Sequence, residues 1–359
     1  MSKLDEKLKA VVTHAYVHAP AVRDRFDKVG LKPEQIQSVS DLSKLPVLEK
    51  DEVIALQQAN PPFGGMLGVP LNEIHHIFMS PGPIYEPDAD DDEEIWDVAV
   101  SVLEAAGFTP DDVVLNTLSY HLVPAGSLLD TALTRLGCTV VPSGYGNTDL
   151  QLKLMGDLKV TGYVGTPSFL MHLIKRAEEM GLTFNDAFKL KKALVSAEPL
   201  PADLRNTFVE QYGISICNTY ATAELGLLAY NVVEGLTMDL LPQPIIQLVD
   251  PDTGQEVASG EVGEIVVTNF SKIYPLLRFG TGDLAINVDP TNGEGAQEER
   301  QIIIVGRRGD AVKVRGMFVH PTQLRYALAL VAGGMGIEPP AVQGAVQRLD
   351  HRDVFVVRL

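Results

Sequence analysis

The segment from Gly162 to Glu198 decides the fold, and it begins GYVGTPSFLMHLIKRAEEMG (162–181) and ends KALVSAE (192–198). GYVGT and KALVSAE are short apolar runs bounded by loop residues, which is typical of buried strands. The stretch SFLMHLIKRAEEMG between them predicts a helix. A strand, a helix and a second strand in this order predict a crossover unit of a mainly parallel α/β sheet.

The same alternation continues on both sides of this segment. On the N-terminal side the sequence predicts strands at 74–80 (IHHIFMS), 113–118 (VVLNTL) and 138–144 (CTVVPSG), with helices at 92–106 and 127–137. On the C-terminal side SICNTY (215–220) is a further candidate strand. The chain therefore resembles one large α/β layer structure with helices on both sides of the sheet.

The two ends of the chain show different sequence patterns. Residues 1 to about 60 are predicted to form helices and turns, because apolar residues recur at helical spacing in LDEKLKAVVTHAYVH. After about residue 240 short apolar runs alternate with turn signals such as PDTG, which predicts a mixed β subdomain over about 240–309. From Met317 onward the sequence holds one candidate helix (323–330) and a strand, VFVVRL.

Composition limits the classes of function. The 359 residues carry 29 Lys and Arg against 47 Asp and Glu, a net charge of −18, which repels phosphate backbones and argues against nucleic acid as a partner. We find no run of about 20 uncharged apolar residues that could span a membrane, and the polar N-terminus MSKLDEKLKA does not fit a signal peptide. We therefore expect a cytoplasmic protein whose two cysteines, Cys138 and Cys217, are buried free thiols.

Three separated segments carry the candidate chemistry. They are YATAELG (220–226), PLLRFGTGDL (275–284) and GRRGDAVKVRG (306–316). Two more stretches accompany them, SAEPL (196–200) and the N-terminal LSKLPVLEKDEV (42–53). Any one of these motifs alone is weak, since a lone TGD is usually a turn and a lone Glu after a strand is more often a cap or a surface residue. The five occur in a fixed order over most of the chain.

In this order and spacing the segments resemble the adenylate-forming superfamily of acyl-CoA synthetases, luciferases and peptide-synthetase adenylation domains, and within it the phenylacetate-CoA ligase branch. The resemblance implies a large N-terminal domain over 1–309 and a hinge with a truncated small α+β C-terminal domain over 310–359. It implies ATP and AMP, Mg²⁺ and CoA as cofactors. The partners it implies are a small carboxylic acid and a nucleotide, and the sequence leaves a homodimer open.

The resemblance also implies roles for individual residues. Glu224 matches the carboxylate that binds Mg²⁺ across the ATP phosphates, and Asp283 matches the one that holds the ribose hydroxyls. Asp310 matches the hinge between the adenylation and thioester-forming states. Arg278 is a third catalytic candidate beside Glu224 and Asp310, although an arginine alone is more often a structural partner. The remaining nucleotide-site candidates are Ser80, Gly82, Ala197, Glu198, Pro199, Asn218, Tyr220, Ala223 and Arg307.

The phosphate-binding loop departs from the family pattern. The family sequence is similar to Ser-Ser-Gly-Thr-Thr-Gly-Lys-Pro, whereas residues 80–87 read SPGPIYEP. Pro81 and Pro83 have no N–H to donate to a phosphate. Glu86 stands where the family has a lysine, and its charge repels the phosphates. The loop therefore predicts a weakened triphosphate side beside a retained adenosine side.

The acyl pocket is expected beside residues 118–126, which read LSYHLVPAG. Tyr120 and His121 match positions that line the pocket in the family, although a histidine here could equally be a core residue. Gly144, Gly146 and Ser196 would complete the walls and leave room for a ring or a chain. The sequence does not choose between aryl and fatty acids.

The resemblance thus implies AMP-forming activation of a carboxylic acid as an acyl-adenylate, with transfer to CoA. The altered loop and the absence of any Lys after Lys313 leave an alternative open. In that alternative the protein is a catalytically impaired relative that binds AMP, an acyl-adenylate or an acyl thioester, or it is an acyl-protein synthetase.

Overall fold

The computed structural model describes residues 2–80, 84–88, 93–291, 293, 295–310, 312–314, 317–319, 321–335, 337–349 and 352–358. The helices are α1 Lys3–His18, α2 Pro20–Lys28, α3 Lys50–Ala59, α4 Glu93–Ala105, α5 Ala125–Leu136, α6 Thr148–Asp157, α7 Pro167–Glu179, α8 Phe184–Ala187, α9 Ala202–Asn206 and α10 Pro321–Met335.

The strands of the N-terminal half are β1 His76–Ser80, β2 Ile84–Asp88, β3 Val113–Asn116, β4 Thr139–Pro142, β5 Gly162–Gly165, β6 Lys192–Val195, β7 Ser215–Thr222 and β8 Gly226–Asn231. Those of the C-terminal half are β9 Met238–Leu240, β10 Ile245–Val249, β11 Val262–Thr268, β12 Phe279–Val288, β13 Gln301–Arg307, β14 Val312–Val314, β15 Met317–Val319, β16 Gln343–Leu349 and β17 Arg352–Arg358.

One 11-stranded sheet organises the described residues, in the order β10-β11-β12-β13-β9-β8-β7-β6-β5-β3-β4. The strands from β3 to β7 pair in parallel, which confirms the predicted α/β class. From β7 onward the neighbouring pairs are antiparallel. The strands of the predicted β subdomain therefore continue the same sheet. All residues of β5 and β11 are buried, and β11 is apolar apart from Glu264 and Thr268.

Local signals place the crossover helix α7 where the sequence predicts it. The Thr166 hydroxyl accepts a hydrogen bond from the Phe169 N–H, and Pro167 occupies the first helical position. Leu170, Leu173, Ile174 and Ala177 form the buried side of the helix. A capped start followed by one apolar stripe fixes which face packs on the sheet.

The N-terminal helices cover the antiparallel end of the sheet. Leu8, Val12 and Phe26 of α1 and α2 share one buried cluster with Leu277 and Phe279 at the start of β12. A 3₁₀ helix spans Val39–Lys44. The chain then runs beside β12, where the Leu48 N–H donates to the Arg278 carbonyl over 2.7 Å. This contact brings the start of α3 to the edge of the candidate site.

The hairpin β1–β2 carries the described part of the altered phosphate loop. Its register pairs Phe78 with Glu86 and Ser80 with Ile84, so these four side chains share one face. Gln57 of α3 anchors the hairpin, because its amide exchanges two hydrogen bonds of 2.8 Å with the Tyr85 backbone. The loop residues 81–83, and with them the candidate Gly82, lie outside the described residues.

Candidate functional site

The candidate site lies where the parallel strands β5, β6 and β7 end. In open α/β sheets the carboxyl ends of the strands form the crevice that binds ligands. Ser196 follows β6, and its hydroxyl donates to the Thr219 carbonyl over 3.1 Å. Ala197 has a φ of +70°, a strained value for a residue with a Cβ. The Glu198 carboxylate accepts a 2.6 Å hydrogen bond from the Ser168 N–H in the first turn of α7.

Three predicted nucleotide residues meet across the sheet. The Tyr220 hydroxyl at the end of β7 donates to the Asp283 carboxylate on β12 over 2.8 Å. The other oxygen of Asp283 lies 3.3 Å from Nε of Arg307, whose side chain is three-quarters exposed. Burial and the Asp283 charge raise the pKa of Tyr220 well above its ordinary value, so the phenol remains a donor. The group presents an anchored carboxylate beside an exposed cation.

A buried carboxylate supports the turn that carries Asp283. Gly282 has a φ of +76°, which favours glycine at this position. Its N–H donates to Oε1 of Glu264 over 3.1 Å. Arg308 lies 3.3 Å from the other Glu264 oxygen and 3.0 Å from Glu49. Burial and the Glu49 charge raise the pKa of Glu264, while the Gly282 N–H and Arg308 oppose the shift.

Glu224 forms an ion pair with Lys50, the first residue of α3. Lys50 Nζ lies 2.5 Å from Glu224 Oε1, although the contact lacks hydrogen-bond geometry. The Glu224 side chain is only 4% exposed. The Thr222 hydroxyl, two residues earlier, is buried and finds no hydrogen-bond partner among the residues that the structure describes. Buried polar atoms without partners are uncommon in folded proteins and often mark ligand sites.

Glu86 of the altered loop is buried against this pair. The residue is 7% exposed, and neither carboxylate oxygen forms a hydrogen bond among the described residues. Burial and the charge of Glu224 raise its pKa to about 7, while the charge of Lys50 opposes the rise. The Ser80 hydroxyl is likewise buried and has no hydrogen-bond partner in the described ranges. The residue predicted to repel phosphates therefore lies inside the protein, near the predicted metal ligand.

Arg278, predicted as a catalytic residue, binds backbone carbonyls. The side chain is 1% exposed, and its NH1 group donates to the Leu45 carbonyl over 2.6 Å. NH2 donates to the Gly254 carbonyl. Arg25 reinforces the same junction, with bonds to the carbonyls of Leu277 and Pro46. In this structure Arg278 joins the N-terminal segment to the sheet, and its catalytic role stays a prediction.

An apolar cavity of about 190 Å³ adjoins the end of β7. Six of its lining residues are Leu118, Leu128, Leu129, Ala221, Thr222 and Leu227. Of the five predicted pocket residues, Ser196 lines it, as does the nucleotide candidate Ala197. Ala223 also lines it, which places a predicted phosphate-side residue next to the cavity.

The other predicted pocket residues lie apart from the lining of this cavity. The Tyr120 hydroxyl donates to Asp130 over 2.8 Å and accepts from the Asn116 amide. His121 is exposed. Gly144 and Gly146 have φ values of +62° and +88° in the loop after β4. Contact of these four residues with an acid stays a prediction.

The remaining candidates are spread around the same edge. Asn218 is half-buried on β7, and Pro199 is exposed after Glu198. Asp310 ends a short helical turn that begins at Arg308, and its side chain lies outside the described part of the chain. No cluster of three or more His, Cys, Asp or Glu able to hold a metal is present among the described residues.

Four residues that touch the site were missed from the sequence as site residues. The sequence motifs assign no role to Glu49, Lys50, Glu264 or Arg308. The signal for Glu49 and Lys50 was present in the motif LSKLPVLEKDEV. Glu264 lies inside an otherwise apolar strand. Only the structure shows that it is buried and accepts a hydrogen bond from the Gly282 N–H.

The two cysteines are buried free thiols, as the sequence predicts. Cys138 and Cys217 are both free and buried, and burial raises the pKa of Cys138 to about 11 and that of Cys217 to about 12. Across the described ranges, no helix combines the length and the apolar character that a membrane crossing requires.

Comparison with known proteins gives three consistent matches. The family model "AMP-binding enzyme" matches residues 95–271. A phenylacetate-coenzyme A ligase of Pseudomonas putida is 30% identical over 336 residues, which cover 89% of this chain and 73% of that protein. The Escherichia coli phenylacetate-coenzyme A ligase is 28% identical over 370 residues, which cover 99% of this chain and 80% of that protein.

Solved structures share the fold. An open conformation of 2-hydroxyisobutyryl-CoA ligase, in complex with 2-HIB-AMP and CoA, superposes with a TM-score of 0.79 at 24% identity. The match covers 92% of this chain and 80% of that one. The postadenylation state of the same ligase with 2-HIB-AMP gives a TM-score of 0.78.

Proposed function

The chain belongs to the AMP-binding enzymes of the phenylacetate-CoA ligase type, and from this premise we propose that it is an AMP-forming acid–CoA ligase. ATP and a carboxylic acid give an acyl-adenylate and pyrophosphate, and CoA then takes the acyl group and releases AMP. The observation that carries the proposal is the meeting of Tyr220, Asp283 and Arg307 next to the apolar cavity and Glu224.

The adenosine half of the nucleotide would be held by the Tyr220–Asp283–Arg307 group. The Tyr220 hydroxyl fixes the Asp283 carboxylate, whose remaining lone pairs can accept hydrogen bonds from both ribose hydroxyls. Arg307 is exposed enough to swing between Asp283 and a phosphate. Ser196 and Glu198, on either side of Ala197, are held by hydrogen bonds after β6, which supports a rigid wall for the base.

The residues present fit the magnesium ion that the family implies. Within the described part of the chain, the Oε1 atom of Glu224 accepts no hydrogen bond, and Mg²⁺ is typically held by one or two carboxylates together with substrate phosphates. When bound there, the ion would neutralise charge on the phosphates. Lys50 would have to leave Glu224 on that binding, and it would then be free to approach the phosphates.

A second candidate function rests on Glu86. Its burial beside Glu224 places a second carboxylate on the side where phosphates would bind. A protein of this kind could bind AMP or an acyl-adenylate without forming it from ATP. Calorimetry separates the two functions. Tight binding of AMP without detectable binding of Mg-ATP supports the second, whereas ATP binding as tight as that of AMP removes it.

Replacing Glu224 with glutamine should lower acid-dependent exchange of labelled pyrophosphate into ATP by about 100-fold, the usual cost of losing one electrostatic group at a reacting centre. The neutral amide keeps the size of the side chain but not its affinity for a hard cation. The exchange assay is run with a panel of aryl and fatty acids.

The control for this prediction is Glu104→Gln, which removes the same charge from the exposed end of α4. It should exchange at the wild-type rate. A Glu224→Gln variant that is as active as this control would remove Glu224 from the mechanism. No exchange by the wild type with any acid would remove the proposed function itself.

A further inference from the structure

Strand β12 bulges where it carries Asp283. On one side of the bulge Glu264 of β11 pairs with Leu284. On the other side Val266 pairs with Gly280, so three residues of β12 stand opposite a single residue of β11. A bulge of this kind bends its strand and re-aims a side chain, and bulges are frequent next to active sites. The bulge therefore sets the direction in which the Asp283 carboxylate leaves the sheet.

Inside the bulge, side chains replace the partners that a regular strand would supply. The Asp283 N–H donates to the Thr281 hydroxyl over 3.1 Å. That hydroxyl donates in turn to the Ile265 carbonyl over 2.9 Å. A backbone N–H that leaves the strand ladder needs another acceptor, and for the Gly282 N–H this acceptor is the Glu264 carboxylate. Glu264 thus closes the bulge from the neighbouring strand.

The fold leaves a fitted space for the Glu264 carboxylate, which is 1% exposed. A Cβ built on Gly280 would lie 2.7 Å from Glu264 Oε1 and 3.1 Å from a methyl of Val47. Cβ atoms in proteins essentially never approach another atom this closely as the first of these distances. Position 280 therefore requires glycine as long as the carboxylate keeps its place.

The second oxygen of Glu264 holds the next strand, β13. Arg308 NH1 lies 3.3 Å from Glu264 Oε2, and Arg308 NH2 donates to the Pro251 carbonyl over 3.3 Å. Arg307, the preceding residue, stands opposite Asp283 in the β12–β13 register. One buried carboxylate is therefore bonded to the residue before Asp283 and to the residue after Arg307.

The two donors together need an acid at this position. An amide of the same size could accept the Gly282 N–H, but it would turn its NH₂ group toward Arg308, which can only donate. A carboxylate accepts on both oxygens. The charge of Glu264 is thus matched to its two neighbours, although burial of that charge is costly.

Resting on the proposed function, we propose that Glu264 is a positioning residue for ribose recognition. It holds the Asp283 carboxylate and Arg307 in the arrangement that receives the two ribose hydroxyls, with Arg307 Nε 3.3 Å from Asp283. Glu264 is buried and would not touch the nucleotide itself. Its loss releases the bulge, so the hydrogen bonds from the ribose hydroxyls weaken while contacts with the base and the phosphate remain.

The test compares AMP with 2′,3′-dideoxy-AMP, which lacks both ribose hydroxyls. Calorimetry measures both affinities for wild type, Glu264→Ala and Glu264→Gln. Wild type should bind AMP about 30-fold more tightly than the dideoxy nucleotide, since hydrogen bonds to a charged group are strong. Glu264→Ala should reduce this ratio by about tenfold through weaker binding of AMP alone. Glu264→Gln keeps an acceptor for the Gly282 N–H, and its ratio should lie between the other two.

Asp289→Asn is the matched control. Asp289 follows β12 at its far end, is 3% exposed, and lies 3.3 Å from Arg300. Its carboxylate also accepts backbone N–H groups, those of Thr291 and Gly293. The substitution removes a comparable buried charge but leaves the bulge intact, so the ratio should equal that of wild type. Thermal unfolding followed by circular dichroism shows that each variant is folded at the temperature of the titration.

The outcomes separate the inference from the proposed function. A wild-type ratio in both folded Glu264 variants overturns the inference and leaves the ligase proposal standing. A ratio that falls equally in Asp289→Asn also overturns it, because the effect would then follow from lost stability. Equal affinity of the wild type for the two nucleotides removes its premise that Asp283 holds the ribose. The expected loss of ratio in a protein without pyrophosphate exchange supports the inference and removes the ligase function.

Discussion

Replacing Arg278 with alanine should lower the free energy of unfolding by about 4 kcal/mol, because buried hydrogen bonds to a charged group contribute roughly 1.5 to 3 kcal/mol each. The guanidinium group binds the carbonyls of Leu45 and Gly254. In the variant these carbonyls would lose their hydrogen-bond donors, and the space of a fully buried side chain would be left empty. Urea unfolding followed by circular dichroism measures the change.

Two further substitutions make the test specific. Arg278 has a φ of +54°, so Arg278→Gly loses the same hydrogen bonds as alanine but relieves the left-handed strain. It should therefore be about 1 kcal/mol more stable than Arg278→Ala. Arg278→Lys keeps the charge but cannot reach two carbonyls at once, and its stability should lie between those of alanine and the wild type.

The same variants decide whether Arg278 is catalytic. If Arg278→Ala unfolds like the wild type but loses pyrophosphate exchange, the arginine acts at the reacting centre and the structural role is wrong. If it unfolds early and keeps exchange below its transition, the arginine acts through the Leu45–Arg278 junction.

Replacing Glu86 with glutamine should have a more favourable effect on the free energy of unfolding at pH 8 than at pH 4.5. We expect the two effects to differ by up to about 3 kcal/mol, because each unit of pKa shift corresponds to about 1.36 kcal/mol. Folding raises the pKa of Glu86 from its ordinary value of 4.5 to about 7. The folded state therefore binds the Glu86 proton more tightly than the unfolded chain does.

The direction of the pH dependence follows from this shift. The stability contributed by the proton is fully present below about pH 4.5 and is lost as the pH rises through 7. The amide of Glu86→Gln does not titrate, so the variant should lack this loss. Free energies of unfolding of both proteins, measured from pH 4.5 to pH 8 in metal-free buffer, should diverge as the pH rises.

Glu73→Gln provides the control, since Glu73 is exposed just before the same hairpin. It changes the net charge equally but should leave the pH profile of stability like that of the wild type. A constant difference between Glu86→Gln and the wild type across this range would show that the Glu86 carboxylate keeps its charge in the folded protein.

The sequence predicted most elements of the fold because their signals are local. The strands near 162 and 192 and helix α7 between them follow from apolar runs and a capped, amphipathic helix. What periodicity could not reveal is that the strands after residue 240 extend the parallel sheet. Pairing of β9 with both β8 and β13 makes that join, and strand pairing over such distances leaves no periodic pattern in either strand.

For the candidate site too, the sequence predicted some contacts and only the structure showed others. The motifs carrying Tyr220, Asp283 and Arg307 predicted the nucleotide residues, and these residues meet in the structure. The motif that contains Arg278 also predicted a catalytic residue. In the structure, however, the Arg278 side chain is buried among backbone carbonyls. A residue type states which bonds a side chain can form, whereas its burial decides with which atoms it forms them.

By itself, the sequence determined the α/β class and the family, and it singled out Tyr220, Asp283 and Arg307, which meet in the structure. It also determined that the phosphate loop departs from the family pattern at Glu86. Only the tertiary structure decided that Lys50 pairs with Glu224 across 174 positions of sequence and that Glu86 is buried beside them. The physical reason is that charge and burial act through space, so the ionisation of Glu86 depends on neighbours that chain folding alone brings together.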